Sequence, residues 1–177
     1  MRRLIIMLAA GLLAAATALA TVGVASAGAT TASHASLNLG SCTTVTIRLM
    51  STNFFIGTPN HPVTGDAVFL RTKNNRNTRW LSCGTNHMGV RSFLSLNGLF
   101  ALTSRGGIGA AVTLEPRNGG DGFLSQQWTR NVIQSGRVFQ YQNRKTGLWL
   151  RVPNSGPALG QIVTTGNSPD NWVVVAP

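Results

Sequence analysis

The sequence predicts an all-β protein assembled from three copies of one unit. Two observations carry that prediction. Short apolar or alternating runs are separated by clusters of Gly, Asn, Pro and Thr, the signature of many short strands with tight turns. A trio of motifs also recurs three times in the same order, which marks a repeat architecture. No stretch beyond residue 27 shows a capped apolar helical face, and that removes the helical alternatives.

The first 27 residues stand apart from this pattern. Arg2 and Arg3 precede an almost unbroken apolar run from Leu4 to Val24, and Ala25-Ser26-Ala27 supplies a small-x-small cleavage pattern. This predicts a secretory signal peptide over 1–27. A cut after Ala35 fits the same rule, and the run approaches the roughly 20 residues of a membrane anchor. Residues 28–40 are small and polar and read as a flexible leader, which assigns the fold to residues 41–177. A domain of that size buries roughly two-thirds of its unfolded surface, so it needs no metal or dense disulfide framework.

Within the domain, Thr52-Asn53-Phe54-Phe55-Ile56, Asn97-Gly98-Leu99-Phe100-Ala101 and Thr146-Gly147-Leu148-Trp149-Leu150 share a turn followed by an apolar run with an aromatic. Each is followed by Gly-x-x-Val: Gly65 to Val68, Gly109 to Val112, and Gly160 to Val163. Each unit then reaches a tryptophan, Trp80, Trp128 or Trp172, at spacings of 48 and 44 residues. Strands are expected at Val45–Met50, Phe54–Ile56, Val68–Leu70, Val112–Leu114, Leu148–Val152 and Val173–Val175, with turns at Asn97-Gly98 and Asn118-Gly119. Three units of about 45 residues, each with about four short strands, cannot bury their apolar faces singly. Closed about an axis they can, and closure also removes exposed strand edges. The arithmetic fits a β-trefoil; a three-bladed propeller falls below the usual blade number, and a two-sheet sandwich leaves the triple repeat unexplained. The recurrent tryptophans are therefore expected to anchor the core. Trp149 shares a slot with Phe55 and Phe100, which favours core, but Arg151 two residues on could join it in a stacking surface.

Charge narrows the function. Only 11% of residues are charged, against roughly 25% in an average soluble protein. Without Arg2 and Arg3, thirteen basic and four acidic residues remain, a net +9, and eleven of the thirteen are Arg. Lys73 to Arg79 is the densest basic loop and Arg144-Lys145 a second pair. Arg forks suit phosphate, carboxylate or sulfate, though a basic surface also serves solubility. The acids Asp66, Glu115, Asp121 and Asp170 fall in different repeats or turns. A glycosidase needs two carboxylates within roughly 5 to 10 Å, so no enzyme is predicted. Cys42 and Cys83 are the two cysteines. Outside the cytoplasm they are expected to pair, with two separate buried thiols as the alternative. Together with His34, His61 and His87 they show no metal-ligand spacing.

The run Phe139-Gln140-Tyr141-Gln142-Asn143-Arg144-Lys145-Thr146-Gly147-Leu148-Trp149-Leu150-Arg151-Val152 resembles the opening of a ricin B-type lectin repeat. Gly-x-x-Val and Gln126-Gln127-Trp128 resemble its middle and its closing Gln-x-Trp. The resemblance covers residues 41–177 and implies a β-trefoil with a shallow sugar pocket on each repeat. The family's pocket acid falls at Gly57, Leu102 and Arg151, and its aromatic platform at Arg71, Glu115 and Gly166. None of the first three is acidic and none of the second three aromatic, so a sugar site here is built differently. Only Gln126 keeps the Gln of Gln-x-Trp; Thr78 and Asp170 replace it elsewhere.

Amide side chains suit sugar hydroxyls because they both donate and accept, although turns also favour Asn. The expected function is a secreted, extracellular, non-catalytic carbohydrate-binding module. The first sugar site is expected in the second repeat at Asn118, Asp121, Gln126 and Gln127. The next is expected in the third repeat at Arg151, Asn154, Asp170 and Asn171. Two alternatives are a binder of anionic polymers or proteins through the Arg-rich surface, and a protease inhibitor presenting Thr58-Pro59-Asn60-His61-Pro62. No cofactor, no specific nucleic acid, no membrane attachment after signal cleavage and a monomeric state are expected.

Overall fold

The computed structural model describes residues 41–72, 76–118, 123–134, 136–153 and 155–177. The expected signal peptide and leader, with Asp121 and Asn154 of the expected sites, lie outside these residues. The described residues form twelve strands, four to a repeat. The first repeat holds β1 (Cys42–Leu49), β2 (Phe54–Gly57), β3 (Phe69–Thr72) and β4 (Arg79–Gly84). The second holds β5 (Val90–Ser95), β6 (Phe100–Thr103), β7 (Thr113–Pro116) and β8 (Trp128–Gln134). The third holds β9 (Val138–Asn143), β10 (Trp149–Arg151), β11 (Thr164–Gly166) and β12 (Trp172–Val175).

The outer strands of each repeat close a six-stranded antiparallel barrel, in the order β1, β4, β5, β8, β9, β12 and back to β1. The inner strands form three hairpins, β2–β3, β6–β7 and β10–β11. Bridges from Ala67 to Thr113, Ala111 to Thr164 and Phe69 to Ile162 hook each hairpin to the next. This is the β-trefoil the repeat arithmetic predicts.

The repeated motifs are what this closure demands. The Val68 N–H donates to the Val112 carbonyl (2.9 Å), Val112 to Val163 (2.9 Å), and Val163 back to Val68 (2.8 Å). All three valines are fully buried. The valines sit just ahead of their hairpins' outgoing strands, not in them as the runs suggest, because their backbones bond to the neighbouring repeat. Gly65, Gly109 and Gly160 turn the chain into this ring at φ of 88°, 80° and 80°, a region where a Cβ is costly. Their N–H groups donate to Leu114, Thr165 and Leu70 at 2.8, 2.7 and 2.8 Å.

Trp80, Trp128 and Trp172 are fully buried. Each indole N–H donates to the end of its own repeat's second strand, at Ile56, Leu102 and Leu150, over 3.0, 3.0 and 3.2 Å. The ring thus fills the core while its one polar atom is satisfied. Phe93 packs edge-on against Tyr141 at 5.1 Å. Burial pushes the Tyr141 hydroxyl well above its ordinary range, against the opposing pull of Arg130 and Arg91. Cys42 and Cys83 are directly opposed in the β1–β4 register and form a disulfide.

Candidate functional site

Threefold geometry makes three equivalent junctions, where one repeat hands over to the next. Each is framed by the loop after the second strand, the residues just before the tryptophan, and the following repeat's first turn. In register, Leu49 lies opposite Trp172 and Ser95 opposite Trp80, while Asn143 lies opposite Trp128. The residues flanking the three tryptophans therefore occupy matching places.

The junction of the second and third repeats is spanned by side chains. Asn143 is 1% exposed. Its Nδ2 donates to the carbonyls of Ser125 (2.8 Å) and Gln127 (3.4 Å). Its Oδ1 accepts from the Lys145 N–H, the Thr146 N–H and the Thr146 hydroxyl. The Arg144 guanidinium donates to Gln127 Oε1, and the Ser104 N–H donates to the Ser125 carbonyl at 3.0 Å. Gln126 is likewise engaged: its Nε2 donates to the Pro116 carbonyl (2.9 Å) and its Oε1 accepts from the Asn118 N–H (3.2 Å). Gln126 and Gln127 are both buried. The structure thus brings Asn118, Gln126 and Gln127 together, but as a braced turn: the Gln126 amide binds the turn's own backbone and the Gln127 amide binds Arg144.

The junction of the third and first repeats is an open cleft of about 500 Å³. Arg151, Asp170 and Asn171 line it on one side and the turn from Leu49 to Thr52 on the other, with Pro153 and Pro157 at its rim. Asp170 Oδ2 accepts from the Val152 N–H at 2.6 Å. Asn171 Oδ1 accepts from Gln140 at 2.9 Å, and its carbonyl accepts from the Met50 N–H at 2.9 Å. These bonds fix both side chains while leaving the second carboxylate oxygen of Asp170 and the Nδ2 of Asn171 without a protein partner among the described residues. Arg151 donates to Ser168 Oγ (3.0 Å) and the Val152 carbonyl (3.2 Å). It makes no ring contact with half-buried Trp149; the cation–ring contacts among the described residues are Arg71 over Phe69 and Arg130 over Phe139.

The junction of the first and second repeats holds a matching cleft of about 410 Å³. Thr58, Asn60 and Pro62 of the β2–β3 loop line it, facing Arg76, Asn77 and Arg79. The Thr58 N–H donates to the Asn77 carbonyl (2.9 Å) and Asn77 Nδ2 to Asn60 Oδ1 (2.7 Å), so this loop is pinned to the turn ahead of Trp80. Sequence reading marked Arg76 and Arg79 only as part of a basic loop; setting the three pre-tryptophan segments side by side would have singled them out.

The pocket positions implied by the ricin B resemblance are occupied by three different devices. With Ile56, Leu102 and Leu150 aligned as tryptophan acceptors, the acid slot falls at Gly57, Thr103 and Arg151. The second is thus Thr103, not Leu102, a one-residue correction set by hydrogen bonding. In the first repeat the Arg71 stem lies against Gly57, where a Cβ would meet Arg71 Cδ at 2.6 Å. In the third the exchange is reversed, and the Arg151 stem packs against Gly166. In the second, Glu115 pairs with Arg105 at 3.4 Å and accepts from Thr113 at 3.2 Å.

No protein-family model matches the sequence, and no curated protein matches it. Solved structures do. A designed 3-fold symmetric protein, ThreeFoil, superposes with a TM-score of 0.66 at 18% identity, over 76% of this chain and 99% of its own. Polyporus squamosus lectin, bound to a human-type influenza-binding epitope, gives 0.60 at 18% identity over 75% of this chain and 48% of the lectin. A mosquitocidal holotoxin gives 0.66 at 12% identity over 81% of this chain and 18% of the toxin. The chain thus spans about half of the lectin and under a fifth of the toxin. With the closed barrel and its three hairpins, these likenesses identify the fold as a β-trefoil.

Proposed function

We propose that this chain is a secreted, non-catalytic carbohydrate-binding module of the ricin B type, with its principal sugar site between the third and first repeats. The observation that carries the reading is the open cleft holding Asp170 and Asn171, each fixed by one hydrogen bond and each keeping one polar group available. A carboxylate acceptor beside an amide donor matches neighbouring sugar hydroxyls, which both donate and accept. Met50, Pro153 and Pro157 supply apolar surface for the C–H face of a sugar ring. The lectin neighbour, whose structure holds a sugar epitope, supports the same class of ligand. Secretion rests on the basic, apolar and small-residue order of residues 1–27.

The absence of catalysis is supported by the described carboxylates. Asp66, Glu115 and Asp170 lie in three repeats and bind the Val63 N–H, Arg105 and the Val152 N–H respectively. Each is thus held by a different partner, whereas paired acid catalysis needs two carboxylates set across one bond. The test is retention of residues 28–177 on a panel of insoluble neutral polysaccharides at low and high salt, with free-sugar competition. Retention at high salt, reversed by one sugar and lost in Asn171→Ala, is the expected result. Retention on no neutral matrix would overturn it.

A further inference from the structure

We infer that the first-repeat cleft is a second, anion-selective glycan site, which takes sulfated or carboxylated sugar units through Arg76 and Arg79. The word glycan rests on the carbohydrate-binding reading above; the anion selectivity rests on this cleft alone.

The repeats serve as one another's controls. Arg76 occupies the place of Leu124 in the second repeat, and Arg79 that of Gln127 in the second and Asn171 in the third. The fold therefore does not require a cation at either position. Both arginines are exposed, and neither guanidinium has a hydrogen bond or ion pair among the described residues. No carboxylate lines the cleft, and the described acids are engaged elsewhere. The walls are tied together on one side, where Asn77 Nδ2 donates to Asn60 Oδ1. Across the cleft, Asn97 Oδ1 accepts from Ser95 Oγ (2.6 Å) and the Leu99 N–H (3.1 Å). That leaves Asn97 Nδ2 as a donor beside two guanidinium forks, a set with donors and no acceptor charge. Such a set suits an oxyanion, and Arg forks bind it in a fixed plane. Leu96 and Pro62 add apolar surface for the ring that carries the anion. The equivalent cleft of the third repeat sets the carboxylate of Asp170 beside its one cation, Arg151, and so lacks the paired-arginine set.

The test measures binding of the full mature chain to dextran sulfate and to unmodified dextran across a salt series, with double-stranded DNA as a second polyanion. Dextran sulfate is expected to bind and dextran not to, with DNA binding at least tenfold weaker. Arg76→Gln with Arg79→Gln lowers dextran sulfate affinity about tenfold and the salt slope by about two, one per lost contact. Asn97→Asp keeps the turn's acceptor but adds a negative charge, and it weakens binding by a similar factor. Arg137→Gln with Lys145→Gln removes the same charge from exposed positions of the third repeat that do not line the cleft, and it changes affinity less than about twofold, since exposed charges away from the ligand are largely screened. Thermal unfolding confirms that each variant folds. Equal loss in the Arg137/Lys145 pair, or equal binding of DNA, would overturn the inference in favour of diffuse charge. Loss of neutral-polysaccharide retention would sink the third-repeat site without touching this result.

Discussion

The junction between the second and third repeats and the junction between the third and first share one backbone frame but differ in what lies between their loops. In one, Asn143 crosses the gap to bind the Ser125 and Gln127 carbonyls, and the Arg144 guanidinium donates to the Gln127 side chain. In the other, Met50 and Asn171 hold the same places, only a backbone bond joins them, and a cleft remains. The difference teaches that trefoil symmetry constrains the buried ring of valines and tryptophans but leaves the junctions independent. One can brace the fold while its equivalent stays open to a ligand.

Substitutions break this contrast in order of size. Asn143→Ala removes a buried amide with five bonds and takes the acceptor from the Lys145 and Thr146 N–H groups, at a cost of about 3 kcal/mol. Urea unfolding should register it, while carbohydrate retention by the folded fraction stays as it was; lost retention would make the braced junction part of the site. Asp170→Asn keeps an acceptor for the Val152 N–H, costs about 1 kcal/mol of stability, and lowers neutral-sugar affinity about tenfold. Unchanged affinity would move the site away from the third repeat. The smallest effect sharpens the comparison: Gln127→Asn with Arg144→Met copies the open junction's residues into the braced one. It should cost about 1 kcal/mol or less and add no retention, because the Asp170 equivalent there is Gln126, which remains bonded to Pro116 and Asn118.

The fold was legible because its signature residues do one job three times over. Gly-x-x-Val recurs since each glycine turns into the ring and each valine closes it, and Trp recurs since each indole caps a neighbouring strand. Four barrel strands were hidden. β4, β5, β8 and β9 each carry polar residues such as Arg79, Arg91, Asn131 and Gln140 on the face away from the core, and so form no apolar run. The site was half legible. Asp170 and Asn171 stood out before Trp172, but their partners Met50 and Thr52 lie more than a hundred residues away in the sequence. Gln126 looked like a sugar-binding amide because an amide in a turn has the same composition whether it faces outward or its own backbone. Only the geometry of Pro116 and Asn118 separates the two.

The valine ring has a consequence for how the chain reaches this state. Val68 and Val163 are 95 residues apart, and the ring cannot form from any two repeats. Contacts of such sequence separation slow folding, because chain closure is completed before it is rewarded. A chain emerging from its N-terminus therefore lacks the final hydrogen-bond partner until Val163 has been made. Until then two of the ring's three bonds, Val112 to Val163 and Val163 to Val68, have no partner to form with, so the third repeat is the part of the sequence on which closure of the other two depends.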